Sequence, residues 1–189
     1  MQLNKTKLGL VVALTITAEA TGYPQSAADH LQRLVEASAQ RLVIAEQVAL
    51  AKWDSGTPVE DTSREAQVIA RAVKEGELRG LDQASVSNFF RAQIEANKLV
   101  QYSLLAEWRR VGKVPNHTPV NLAGTIRPEL DQVQTTLITE LAETVVIRAS
   151  ASCRTDIAKA VGKYVSAHKD SLSAPEAIAL DRAMAATCK

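Results

Sequence analysis

The sequence predicts an all-α protein, a single compact domain of about six helices with long first and third helices. Three observations carry this. Apolar residues recur at steps of three and four along most of the chain, the spacing of one helix face. Aromatics make up only 4% of the residues, while Ala, Leu, Glu, Gln and Arg are abundant, which favours helix over sheet. No stretch of useful length alternates as a strand would. The composition, 46% hydrophobic and 23% charged over 189 residues, is that of a chain with a sizeable core and excludes general disorder. A formal charge of +1 lacks the dominant basic surface of a nucleic-acid binder.

The first twenty residues read as a signal peptide rather than as part of the fold. Lys5 and Lys7 precede an apolar run from Leu8 to Ile16, and Ala18-Glu19-Ala20 supplies the small residues of a cleavage site. The run falls short of the roughly 20 apolar residues needed to span a bilayer, and no later stretch approaches that length. A short apolar helix packed on the core is the alternative for this segment. Cleavage after Ala20 removes two lysines and one glutamate and leaves a mature chain with no net charge. The organisation expected is therefore a signal peptide over 1–20 and a helical domain over 21–189. Within that domain, 21–125 supplies the working helices and 126–189 a C-terminal helical extension. Localisation is expected to be periplasmic or secreted, with no membrane association once the peptide is removed.

The first helix is expected to start at Ser26 or Asp29 and to end near Trp53, before the breaker cluster Asp54-Ser55-Gly56-Thr57-Pro58. Its stripe is Leu31, Leu34, Val35, Leu42, Ala45, Val48 and Ala49, with small Ser38 in the one gap. Thr57-Pro58-Val59-Glu60 predicts a second helix capped by Thr57, running to Arg79 and stopped by Gly80. Asp82 opens a third helix to about Arg110, anchored by Val86, Phe89, Phe90, Ile94, Leu104, Leu105 and Trp108. Glycines and prolines make 112–124 a loop, and three helices follow over about 127–149, 153–167 and 173–187. Export places Cys153 and Cys188 in an oxidising compartment, where pairing is the default, with two separate buried thiols as the alternative. No Cys/His spacing suggests a metal, and His30, His117 and His168 read as scattered surface residues.

Polar residues interrupt the two strongest apolar stripes. Arg41 and Lys52 fall within the stripe of the first helix, eleven residues and so about three turns apart. Asn97 and Gln101 sit at i and i+4 in the stripe of the third. Either cation taken alone fits pairing with a core-facing carboxylate, or snorkelling to the edge. Four such intrusions on two helices point instead to a pocket for an anionic small molecule. Asp61 and Arg64, three apart on the second helix, join it or form an ordinary exposed pair. The sequence shows no nucleophile elbow, no Gly-rich phosphate loop and no free Cys nucleophile if the cysteines pair. Any catalysis would have to work by binding, orientation and electrostatics.

The same residues carry a family resemblance. Arg41-Leu42, Ala51-Lys52-Trp53, Pro58-Val59-Glu60-Asp61 and Arg64-Glu65 resemble the helical chorismate mutases. Phe89-Phe90-Arg91-Ala92-Gln93-Ile94-Glu95-Ala96-Asn97-Lys98, followed by Gln101, is similar to their third-helix motif. The likeness covers about residues 30 to 110, and the signal peptide, extension and cysteine pair resemble the secreted (gamma) subclass. The resemblance implies an isomerase of aromatic amino-acid biosynthesis, in the Phe/Tyr branch. It converts chorismate to prephenate by a unimolecular Claisen rearrangement with no cofactor. It implies Lys52 and Gln101 as catalytic groups at the ether oxygen, and Arg41 and Arg64 as carboxylate binders. Asp61 and Asn97 would hold the hydroxyl and carboxylate side, and Arg127 would complete the substrate-binding set. A homodimer is also implied. Two other readings remain open at this point: isochorismate–pyruvate lyase, which shares the helical fold, and a non-catalytic exported helical binding protein.

Overall fold

The computed structural model describes residues 27–189, so the signal-peptide expectation lies outside the described residues. Two 29-residue helices, α1 (Ala27–Ser55) and α3 (Gln83–Val111), form the frame. Against them pack α2 (Thr62–Glu77), α4 (Arg127–Glu143), a short α5 (Val145–Arg148), α6 (Cys153–Ala167) and α7 (Ala174–Met184). A five-residue π-helical turn, Leu122–Ile126, leads into α4. The architecture is all-helical, with no strand among the described residues. Helix α1 contacts α3, α4, α6 and α7, while α2 bridges α3 and α4.

The core follows the expected stripes. Leu34, Leu42, Phe89, Phe90, Leu137, Ile138, Leu141 and Leu180 are sealed from solvent, and Phe89 meets Phe90 edge to face at 5.5 Å. A second cluster of Ala49, Leu50, Val59, Leu105 and Trp108 closes the far end of α1. There Trp53 stands edge-on to Trp108 at 6.1 Å. Two glycines are required by the geometry. Gly112 takes φ 76°, ends α3 and donates its amide to the Trp108 carbonyl. Gly76 lets α2 approach α3 so closely that a Cβ there would meet Val86 Cγ2 at 2.9 Å.

Three local expectations are corrected. Helix α2 begins at Thr62, capped by Asp61, and not at Thr57. The reason is that Val59 is drawn into the second cluster, which holds 57–61 non-helical. Thr57 instead bonds Ser55, and Glu60 bonds Lys98 and Tyr102. The helix expected over 127–149 breaks at Thr144 into α4 and α5, which makes seven α-helices among the described residues. The buried Thr144 hydroxyl donates back to the Glu140 carbonyl at 2.6 Å, and the β-branched run Thr144-Val145-Val146-Ile147 follows. Both weaken the helical ladder at this point. Finally, His30 and His117 are not free surface residues: each side chain is 16% exposed and faces a carboxylate, Glu140 and Asp54 respectively.

The C-terminal extension is tied down twice. The disulfide joins Cys153, at the start of α6, to Cys188 beyond α7. Arg148, 1% exposed, donates to the carbonyls of Thr187 and Leu141 and to the Ser85 hydroxyl. Ser173 and Glu176 form a capping box at the head of α7.

Candidate active site

A cavity of about 110 Å³ opens where α1, α2, α3 and α4 meet. Each helix contributes one face. From α1 come Arg41, Val48 and Lys52; from the 57–61 segment and α2 come Val59, Asp61, Arg64, Glu65 and Val68; from α3 come Ile94, Asn97, Lys98 and Gln101. The π-helical turn gives Leu122, and α4 gives Arg127, Leu130, Asp131 and Gln134 at i, i+3, i+4 and i+7. All seven site residues expected from the sequence thus line one cavity. Its lining carries five cations and three carboxylates, an excess of two positive charges.

Arg41 is 5% exposed, and its Nε has no hydrogen-bond partner. Burial pushes its guanidinium down to about 10, partly offset by Asp131 and reinforced by Arg64. A charged, desolvated donor without a partner is costly unless something anionic answers it. Lys52 donates from Nζ to the Val59 carbonyl at 2.5 Å, leaving two of its three hydrogens for the cavity. Burial lowers its pKa against the opposing pull of Asp61, Glu65 and Glu60. The displaced cap of α2 therefore has a use: the non-helical 57–61 backbone presents the carbonyl that positions Lys52.

Asp61 caps α2 by accepting the Arg64 amide at its Oδ1, 3.0 Å away. Arg64 is drawn down by burial and by the neighbouring Arg71, and its guanidinium faces Asp131 at 3.5 Å. On α3, Gln101 donates to Asn97 Oδ1 at 2.7 Å, and Asn97 donates to the main-chain carbonyl of Arg41 at 2.9 Å. Gln101 is 4% exposed, and its Oε1 is left unpaired. The amide retains a second N–H beyond the one given to Asn97. Lys98, on the rim, sits among Glu60, Glu65 and Glu95. Burial opposes its charge, but these carboxylates outweigh burial and raise its pKa.

Four polar lining residues were not among the site residues expected from the sequence: Glu65, Lys98, Asp131 and Gln134. The signal for the last was available. Gln134 interrupts an apolar stripe between Leu130 and Ile138, as Arg41 and Gln101 interrupt theirs. Asp131 and Glu65 join Asp61 as the acids of the lining. Among the described residues, no group of three or more His, Cys, Asp or Glu side chains is placed to hold a metal ion.

The chain is similar to known proteins of one kind. The sequence pattern of the type II chorismate mutases fits residues 29–102. The chain is 32% identical to the secreted chorismate mutase of Mycolicibacterium smegmatis, across 82% of this chain and 87% of that one. It is 28% identical to the secreted chorismate mutase of Mycobacterium tuberculosis, across 88% and 85%. Among solved structures, a chorismate mutase from Burkholderia phymatum superposes with a TM-score of 0.81 at 44% identity, covering 86% of this chain and 98% of that chain. One from Burkholderia thailandensis gives 0.79 at 31% identity, covering 84% and 99%. Identity of 32% to a chorismate mutase across most of both chains means that this chain belongs to the chorismate mutase family.

Proposed function

We propose that this chain is an exported chorismate mutase in which one chain supplies a complete pocket. The observation that carries the reading is the cavity's excess of two positive charges, lined up with a partnerless buried Arg41. Chorismate is a dicarboxylate, and its rearrangement needs no nucleophile, metal or cofactor. The breaking C–O bond puts negative charge on the ether oxygen. Groups that meet this charge only as it develops lower the barrier.

In this mechanism Arg41 and Arg64 take the carboxylates, where a planar guanidinium suits two-point pairing. Lys52, oriented by the Val59 carbonyl, and Gln101, oriented by Asn97, donate to the ether oxygen. Both are fixed before substrate arrives, so little reorganisation is left for the transition state. Asp61 has its Oδ2 available for the substrate hydroxyl, since Oδ1 is held by the α2 cap. Asn97 orients Gln101 through its Oδ1 and gives one N–H to the Arg41 carbonyl, which leaves its second N–H for the hydroxyl and carboxylate side of the substrate. Arg127, at the head of α4, closes the cavity with a cation from the same chain. Relatives named as secreted support export, and periplasmic or extracellular placement follows if residues 1–20 act as a signal peptide.

The test is loss of chorismate absorbance with purified mature protein. Wild type should turn over chorismate and leave isochorismate unchanged. Lys52→Ala should lose a factor on the order of 10²–10³ in kcat with its circular dichroism unaltered. A wild type that binds chorismate without converting it would make the chain a binding protein instead. Pyruvate release from isochorismate would make it a lyase. The expected homodimer is checked by sedimentation of the same preparation.

A further inference from the structure

The face of α4 brings one polar side chain to the cavity that none of the roles above uses. Gln134 is 5% exposed and lines the cavity one turn beyond Leu130 and Asp131. Its neighbours Val133, Leu137 and Ile138 belong to the hydrophobic core. A buried amide without partners forfeits hydrogen bonds that water would have given it. The protein's other deeply buried glutamines find partners: Gln93 donates to Ser38 and to the Ala183 carbonyl, and Gln101 to Asn97. Gln134 bonds no group among the described residues. Nor does its amide count among the unpaired polar atoms sealed inside the protein, which include Gln101 Oε1. It is therefore open to the cavity and to whatever fills it.

We propose that Gln134 is a specificity-determining residue that donates a hydrogen bond to a carboxylate oxygen of the bound dianion. The inference rests on the chorismate reading of the same cavity. Arg41 and Arg64 supply charge, whereas Gln134 supplies a directional donor that leaves the charge balance of the lining unchanged. A carboxylate keeps its charge throughout the rearrangement, so this contact is equally strong in ground and transition states. Its loss should raise KM and spare kcat.

The experiment compares Gln134→Leu, Gln134→Glu and Gln134→Asn with wild type, reading kcat, KM and the direct binding of prephenate by calorimetry. Gln134→Leu should raise KM for chorismate and Kd for prephenate about tenfold, with kcat within threefold. Gln134→Glu, nearly isosteric, should raise both further, because a carboxylate would then face the dianion. Gln134→Asn keeps the donor and should fall between Leu and wild type. Melting curves matching wild type show that the effect is local; if Gln134→Leu fails to fold, the Glu variant decides. KM and Kd within twofold of wild type in the folded variants would overturn the proposal, as would a fall in kcat at constant KM. A wild type that neither converts chorismate nor binds prephenate would instead overturn the functional reading itself.

Discussion

The guanidinium of Arg64 stands 3.5 Å from the carboxylate of Asp131. Asp131 is also held by Arg71, whose two terminal nitrogens donate to it at 3.0 and 2.9 Å. Asp131 therefore competes with a substrate carboxylate for the Arg64 guanidinium. The carboxylate is 40% exposed, so the pair is screened and contributes at most about 1 kcal/mol to stability. Asp131→Asn removes the competitor and raises the excess charge of the lining from two to three. KM for chorismate should fall about threefold, with the melting temperature within about 2 °C of wild type. A rise in KM would show that Asp131 helps to orient Arg64 for substrate.

The pH profile distinguishes an amide from a carboxylic acid at position 101. Gln101 donates whatever the pH, so kcat should be flat between about pH 5 and 8. The alkaline limb belongs to Lys52. Burial lowers its pKa below that of an ordinary lysine, so its proton is lost as pH rises through that lowered value. Turnover should fall there, earlier than a free lysine would titrate. Gln101→Glu must be protonated to donate, so its turnover should climb as pH falls below about 6 and be largely lost at pH 8. A wild-type kcat that drops steeply through pH 6 would contradict the role given to Gln101.

What the sequence made legible was whatever local periodicity encodes. The stripes of α1 and α3 mark the core, and the polar interruptions at Arg41, Lys52, Asn97 and Gln101 mark the cavity. Features created by tertiary packing were not legible. The Thr57 capping signal is good locally, but burying Val59 beside Trp108 outweighs it and moves the start of α2 to Thr62. The break at Thr144 depends on a hydroxyl turning back on its own helix, which composition does not announce. Asp131 reads as one more charge on α4 until Arg64 and Arg71 are brought beside it from α2. Arg127 was visible only through the family resemblance, because its place on the cavity depends on the π-helical turn that aims the head of α4.

The disulfide should matter to stability and not to chemistry. It closes a loop with a sequence separation of 35 between Cys153 and Cys188. By chain-entropy reckoning a loop of this size contributes roughly 4 kcal/mol. The residues that line the cavity all fall between 41 and 134, outside that loop. Cys153→Ser with Cys188→Ser should therefore lose on the order of 2–4 kcal/mol in denaturant unfolding while keeping kcat within about twofold at 25 °C. Loss of kcat in a fully folded double variant would show that the extension controls the cavity.

Arg148 is the other tie on the extension, and its chemistry makes a sharper prediction. It is a 1% exposed cation whose recorded partners are neutral: the carbonyls of Thr187 and Leu141 and the hydroxyl of Ser85. Burial lowers its pKa, and the carbonyl dipoles are what keep the charge tolerable. The Leu141 carbonyl lies in the last turn of α4, where the helical ladder runs out, and Thr187 follows the end of α7. Arg148→Ala would strip the guanidinium donors from both carbonyls, leaving Leu141 only the Thr144 hydroxyl at 3.3 Å, and would leave a void, and should cost about 3–5 kcal/mol. Arg148→Lys keeps the charge but cannot reach three acceptors from one planar fork, so it should recover only part of that loss. Arg148→Met fills the space and removes the buried charge, yet still takes the guanidinium donors from both carbonyls. If charge burial dominated, Met would be at least as stable as wild type. If the carbonyls dominate, as the three hydrogen bonds indicate, Met should remain about 2 kcal/mol below it in urea unfolding.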